Sequence, residues 1–150
     1  MSETVGRLHW AVKESFIAYI RGLDDGDIET FDGCELQDGV FVFPGESGED
    51  GELLFSGGVH FTGFAGMLDV RLVDPMVEFD GTEAKVTALV GPAAIAARVH
   101  IATIEGGEPY RPGNSWTAAP KLTFEGVRIL GDVYQVGAEL APLSIEPETQ

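Results

Sequence analysis

Apolar residues recur along this chain in two spacings, one near its start and the other through the rest. Residues 8–22, LHWAVKESFIAYIRG, carry the helical spacing. At about 100° per residue, Trp10, Phe16, Ile17 and Ile20 fall on one side, which predicts an amphipathic helix ending at Gly22. Ala11, Ser15, Ala18 and Tyr19 fall on the other side, with Ser15 and Tyr19 one turn apart. That second face has small residues and two hydroxyls. It is neither charged like a solvated face nor apolar like a core.

Beyond Gly22 the spacing changes to alternation, broken by glycines. DDGDIETFDG and ELQDG read as turns around a short strand, and VFVFPG as a strand ending at Pro44. GESGEDGE (45–52) reads as an acidic, glycine-rich, mobile loop. ELLFSGG and VHFTGF follow. MLDVRLVDP alternates, with Leu68, Val70 and Leu72 on one face and Asp69 and Arg71 on the other. MVEFDGTEAKVTALVG reads as a hairpin turning at Asp80-Gly81. The β-branched run in AAIAARVHIATIE (93–105) favours strand over helix. EGGEPYRPGN reads as a loop, and the remainder as two or three short strands. One N-terminal α-helix with many short strands predicts a mainly β fold, an antiparallel β sandwich or open barrel.

The chain has 150 residues, 44% of them hydrophobic. That suits a single domain over residues 1–150 with one core. No apolar run is long enough to span a bilayer, and the first residues contain no secretory h-region, so the chain reads as cytosolic. Asp and Glu number 25 against nine Lys and Arg, a formal charge of -16. Such a surface repels nucleic-acid phosphate and anionic lipid. The single cysteine, Cys34, excludes an internal disulfide and a thiolate metal cluster. It has no neighbouring base and reads as structural. Open edge strands are templates for pairing with a second copy, so a homodimer is one arrangement open to the chain, whose oligomeric state the sequence does not fix.

Common nucleotide-binding, zinc-protease and serine-hydrolase motifs are absent, and no pair of acids marks a catalytic centre. His9, His60 and His100 are far apart in sequence. The chain therefore reads as a binding module and not an enzyme. Its most distinctive chemistry is the helix face with Tyr19. A phenolate can ligate ferric haem iron, and small neighbours such as Ala11 and Ala18 admit a flat macrocycle. The glycine-rich GGVHFTGFAG (57–66) supplies material for a second wall. The plainer reading packs Tyr19 at a helix–sheet contact with its hydroxyl in water.

Four segments, LHWAVKESFIAYIRG, VFVFPG, GGVHFTGFAGMLDVRLVDPMVEFDG and GDVYQVGAELAPL, occur in order along nearly the whole chain. As a set they resemble the HtaA domain. The resemblance implies a mainly antiparallel β fold with short helices. It also implies a haem-binding domain of actinobacterial haem uptake, a family whose members are exported or surface-anchored. It further implies Tyr19 as axial ligand to ferric haem iron, with Ser15 one turn earlier at the pocket. The family has a histidine in its F-T-G-H-x-G segment, beside the ligating tyrosine. Here the segment is FTGFAG, and Phe64 stands in the histidine's place. A phenyl ring cannot hydrogen-bond a phenolate as the histidine does. Either Phe64 stacks on a retained haem site, or it fills the cavity and leaves an HtaA-like scaffold that serves as an interaction or other small-ligand-binding protein. His60 is a candidate replacement partner; its plainer reading is an ordinary hydrogen-bonded sheet residue. LAPL departs from the family's L-D-P-L at Ala141. Propionates would want cations, and Lys13, Arg71, Arg98, Lys121 and Arg128 are available, none tied to Tyr19 by sequence alone.

Overall fold

The computed structural model describes residues 6–147 apart from 50, 93, 107–109 and 112. Among the described residues the order is β1 (Arg7–Trp10), α1 (Glu14–Arg21), β2 (Asp27–Phe31), β3 (Glu35–Gln37), β4 (Val40–Phe43), β5 (Gly45–Glu49), β6 (Glu52–Phe55) and β7 (Gly58–Gly63). There follow β8 (Leu68–Asp80), β9 (Glu83–Val90), β10 (Ala97–Glu105), β11 (Trp116–Ala118), β12 (Lys121–Leu122), α2 (Phe124–Ile129) and β13 (Leu143–Glu146). All strand pairings are antiparallel. One sheet has the order β11-β13-β1-β4-β3. The other runs β12-β10-β9-β8-β6-β5, and β7 also pairs with β8 and carries β2.

The two sheets enclose one core, as the alternation requires. Leu8, Trp10, Phe41, Phe43, Leu143 and Ile145 bury themselves from the first sheet; Phe55, Val59, Phe61, Val77 and Val86 do so from the second. Phe61 links the layers, edge-to-face with Phe41 at 5.7 Å and with Phe16 of α1 at 5.1 Å. Aromatic contacts of this geometry add about 0.5–1.5 kcal/mol beyond their buried area. The expected mainly β sandwich is the observed fold. Among the described residues no helix is long and apolar enough to cross a membrane.

Several elements differ from expectation. The first helix begins at Glu14, not near Leu8, because residues 7–10 form β1, held between β13 and β4. Trp10 fits either periodicity, but Leu8 and Trp10 lie about 200° apart on a helix and on one face of a strand, and β4 and β13 supply the partners for that strand. Val12, at φ 62°, breaks the chain between the two elements. Phe16, Ile17 and Ile20 are the buried stripe of α1, as expected. α2 lies where only strands were expected. Thr123 caps it by accepting the N–H of Gly126 at 3.1 Å, and Leu122, Gly126 and Leu130 pack it onto β10.

Residues 45–49 are not a loop. They pair with β6 as β5, and backbone pairing of this kind needs no apolar side chains. The strands expected at 67–75 and 76–80 are one strand, β8, with a bulge where its partner register shifts between Val73 and Met76. Pro75 sits in that bulge, where a missing N–H costs no ladder bond. The hairpin beyond it turns at Gly81 and Thr82, one residue later than expected, with Gly81 at φ 63°. Part of the expected 105–114 loop lies outside the described residues.

Candidate functional site

The helix α1 brings Tyr19 to the surface, 48% exposed, while the opposite stripe holds the helix on the core. Tyr19 and Phe16 form one wall of a groove of about 670 Å³. The start of β8 (Leu68, Asp69, Val70) makes the floor, and residues 128–131 with Val133 and Tyr134 make the far wall. Phe64 and Met67 stand at the near edge. The volume lies within the roughly 300–1,000 Å³ usual for small-molecule sites. Its lining is mostly apolar, with phenol hydroxyls at two places.

The turn bearing Phe64 is built in an unusual way. Phe64, Ala65 and Gly66 have φ of 55°, 57° and 85°, all left-handed. That conformation costs roughly 1–2 kcal/mol for each non-glycine residue. The carboxylate of Asp25 offsets the cost by accepting two backbone N–H bonds, from Phe64 at 2.9 Å and Ala65 at 2.7 Å. The same bonds, that of Ala65 first, hold the Asp25 carboxyl below the usual carboxylate range. With the turn fixed, Phe64 is 56% exposed and leaves the groove open. Nearby glycines serve packing instead. A Cβ on Gly58 would lie 2.4 Å from the Phe31 ring, so any side chain there would displace that ring from the β2–β7 contact.

The sequence-predicted residues divide by place. Tyr19 and Phe64 share the groove. Ser15 is exposed beside it and donates to the Tyr134 hydroxyl at 3.4 Å. Ala18 is exposed on α1 but outside the lining, and Ala11 is buried in the core. His60 lies on β7, paired with Asp69 at 2.6 Å, and lines an adjoining cavity, not the Tyr19 groove. Cys34 is buried, and burial, with the charge of Glu35, pushes its thiol up to about 12, away from nucleophilic use. Among the described residues no three His, Cys, Asp or Glu side chains gather to hold a bare metal ion.

Sequence reasoning did not single out Tyr134, Met67 or Val133, and left Arg128 unplaced. Their common signal was weak. Thr123, Glu125 and Gly131 mark the ends of a short helix that carries the chain back to α1. Lys13 seals that return by donating to the Glu139 carbonyl at 2.7 Å, its ammonium 4.7 Å from the Tyr134 ring centre.

A β sandwich that carries an open, mostly apolar groove is the class of protein this fold and site define. Within that class the chain belongs to the HtaA family, whose pattern it matches over residues 5–146. Its fold is similar to the heme binding protein HtaB of Corynebacterium glutamicum, at 27% identity and TM-score 0.83, covering 97% of this chain and 93% of that one. The C-terminal domain of HtaA from the same organism is similar at 25% identity and TM-score 0.76, covering 95% and 96%. A His-to-Ala variant of that domain, a domain-swapped dimer, is similar at 27% identity and TM-score 0.68, covering 87% of each chain. No curated protein sequence matches the chain. Membership agrees with the expectation of a non-catalytic module. It overturns the cytosolic reading: the similar HtaA and HtaB proteins are secreted or surface-anchored, and the lack of an h-region in these residues was not sufficient ground for it.

Proposed function

We propose that this protein binds ferric haem in the groove beside α1, with the Tyr19 phenolate as axial ligand. The observation that carries the reading is the exposed Tyr19 on the wall of an open, mostly apolar groove. A flat macrocycle buries its faces against such walls, and Leu68, Val70, Ile129 and Val133 supply them. One phenolate is a poor site for bare iron. It suffices where a porphyrin already provides four nitrogens, since only the axial positions remain. Membership of the HtaA family and likeness to a heme binding protein support the same ligand.

Phe64 fits the role of a stacking wall at the groove's edge. The family's histidine would have partnered the phenolate, and without it the Tyr19 oxygen keeps a free lone pair. The nearby Tyr134 brings a second hydroxyl to the groove, itself bonded by Ser15.

The test is a visible absorption titration of the apoprotein with ferric haem. A saturable one-to-one complex with a high-spin, tyrosinate-type charge-transfer band is expected. Tyr19→Phe should abolish that band, whereas Tyr134→Phe should keep it. A band that survives Tyr19→Phe and disappears in Tyr134→Phe would give the iron to the wrong tyrosine for this reading. A spectrum equal to that of free haem would favour a scaffold that binds something else.

A further inference from the structure

We propose that Arg71 and Arg128 form an anion-receiving subsite that takes the carboxylates of a ligand whose flat body lies in the Tyr19 groove. The inference rests on the haem reading above and adds to it which end of the ligand faces where.

A second cavity, of about 480 Å³, adjoins the groove. The two share Asp69, Val70, Arg128 and Ile129, so a ligand in one has a direct way into the other. Arg71 reaches the second cavity from β8, and Arg128 from the last turn of α2. In a chain with 25 acids and nine Lys and Arg, two arginines at one cavity go against the prevailing charge. Among the described residues neither stands in an ion pair. Among the described residues the one ion pair is His60 with Asp69, which engages the carboxylate at this cavity through His60 and not through an arginine.

Each guanidinium instead lies over a ring, Arg71 at 5.2 Å from the centre of Phe31 and Arg128 at 5.9 Å from that of Phe124. A guanidinium laid face-on over a ring keeps its edge N–H donors available to a ligand. Those donors match a carboxylate in a two-point fork. The groove is apolar where a macrocycle would lie, and the adjoining cavity is cationic where acidic side arms would emerge.

The experiment compares ferric protoporphyrin haem with its dimethyl ester, in the same low-detergent buffer, on the wild type and on Arg71→Gln/Arg128→Gln. Dissociation constants come from the absorption titration, and the tyrosinate band reports iron ligation separately. The wild type should bind the free acid on the order of tenfold tighter than the ester, as one charge-assisted hydrogen bond gives. The double variant should keep the band and lose the preference. Added salt should narrow the wild-type gap. Arg128 is exposed, so Arg128→Gln alone supplies the same comparison, with part of the preference lost, if the double variant does not fold. A preference unchanged in the variants overturns the subsite and leaves Tyr19 ligation standing. No band with either compound on the wild type overturns both.

Discussion

Phe64 occupies a turn whose two exposed N–H groups are both taken by Asp25, from a loop 39 residues earlier in the chain. Its ring is thereby aimed along the groove edge instead of into the core. Replacing it tests what a phenyl ring costs the proposed iron site. Phe64→His should restore a hydrogen-bond partner for the Tyr19 phenolate and slow haem loss several-fold, followed as transfer to an excess of an apo-globin scavenger. An unchanged rate would mean that the ring was not what limited retention. The FTGFAG pattern marked this position in the sequence. Its exposure was not legible there, because three successive left-handed residues are not expected of Phe-Ala-Gly, and the carboxylate that stabilises them is remote.

Short elements bring the groove walls together, and α2 is the one most open to test. Thr123 serves two elements at once: its hydroxyl accepts from Gly126 and donates to the His100 carbonyl on β10 at 2.7 Å. Thr123→Ala removes both bonds and should cost about 1–2 kcal/mol. For a chain of this size that lowers Tm by roughly 2–8 °C, measurable by thermal denaturation. Haem affinity should fall with it, because α2 leads directly into the Arg128–Leu130 wall. An affinity equal to that of the wild type would show that the wall is held by the sheet alone. The sequence TFEGVRILG contains the cap, an acid in the first turn and a basic last turn. Its central Gly126 disguised it, and the contact with β10 explains the glycine: a Cβ there would come within 2.2 Å of the Ile101 carbonyl oxygen.

The molecule as a unit carries a charge of -16, which repels itself at neutral pH. Sodium chloride should therefore raise Tm by a few degrees at pH 7, by screening this repulsion. Two carboxylates act in the opposite sense on acidification. Asp25 is held below the usual range by the Ala65 and Phe64 N–H groups, and Glu146 by the hydroxyls of Ser144 and Ser115. A depressed carboxyl stabilises the fold above its unfolded pKa, near about 4. That contribution disappears as pH falls through the lower folded value. Asp25→Asn should accordingly flatten the fall in Tm between pH 5 and 2, as followed by circular dichroism. A slope equal to that of the wild type would mean that the Asp25 bonds carry no net stability.

The apolar run of β4, the alternation along β8 and β9, and the stripe Phe16, Ile17 and Ile20 determined most of this protein from sequence: a β core, a helix laid on it, and Tyr19 facing outward. Those features follow from burial, which a periodic pattern encodes locally. The choice between strand and helix at Leu8–Trp10 was made by β4 and β13, which no local pattern reports. The pairing of an acidic segment into β5, the capture of the Phe64 turn by Asp25 and the return of Tyr134 beside Ser15 were also decided only in three dimensions. Each depends on backbone or side-chain partners far along the chain. Which cations stand near the groove was settled in the same way, by the packing of α2 against β10 and of β8 against β7.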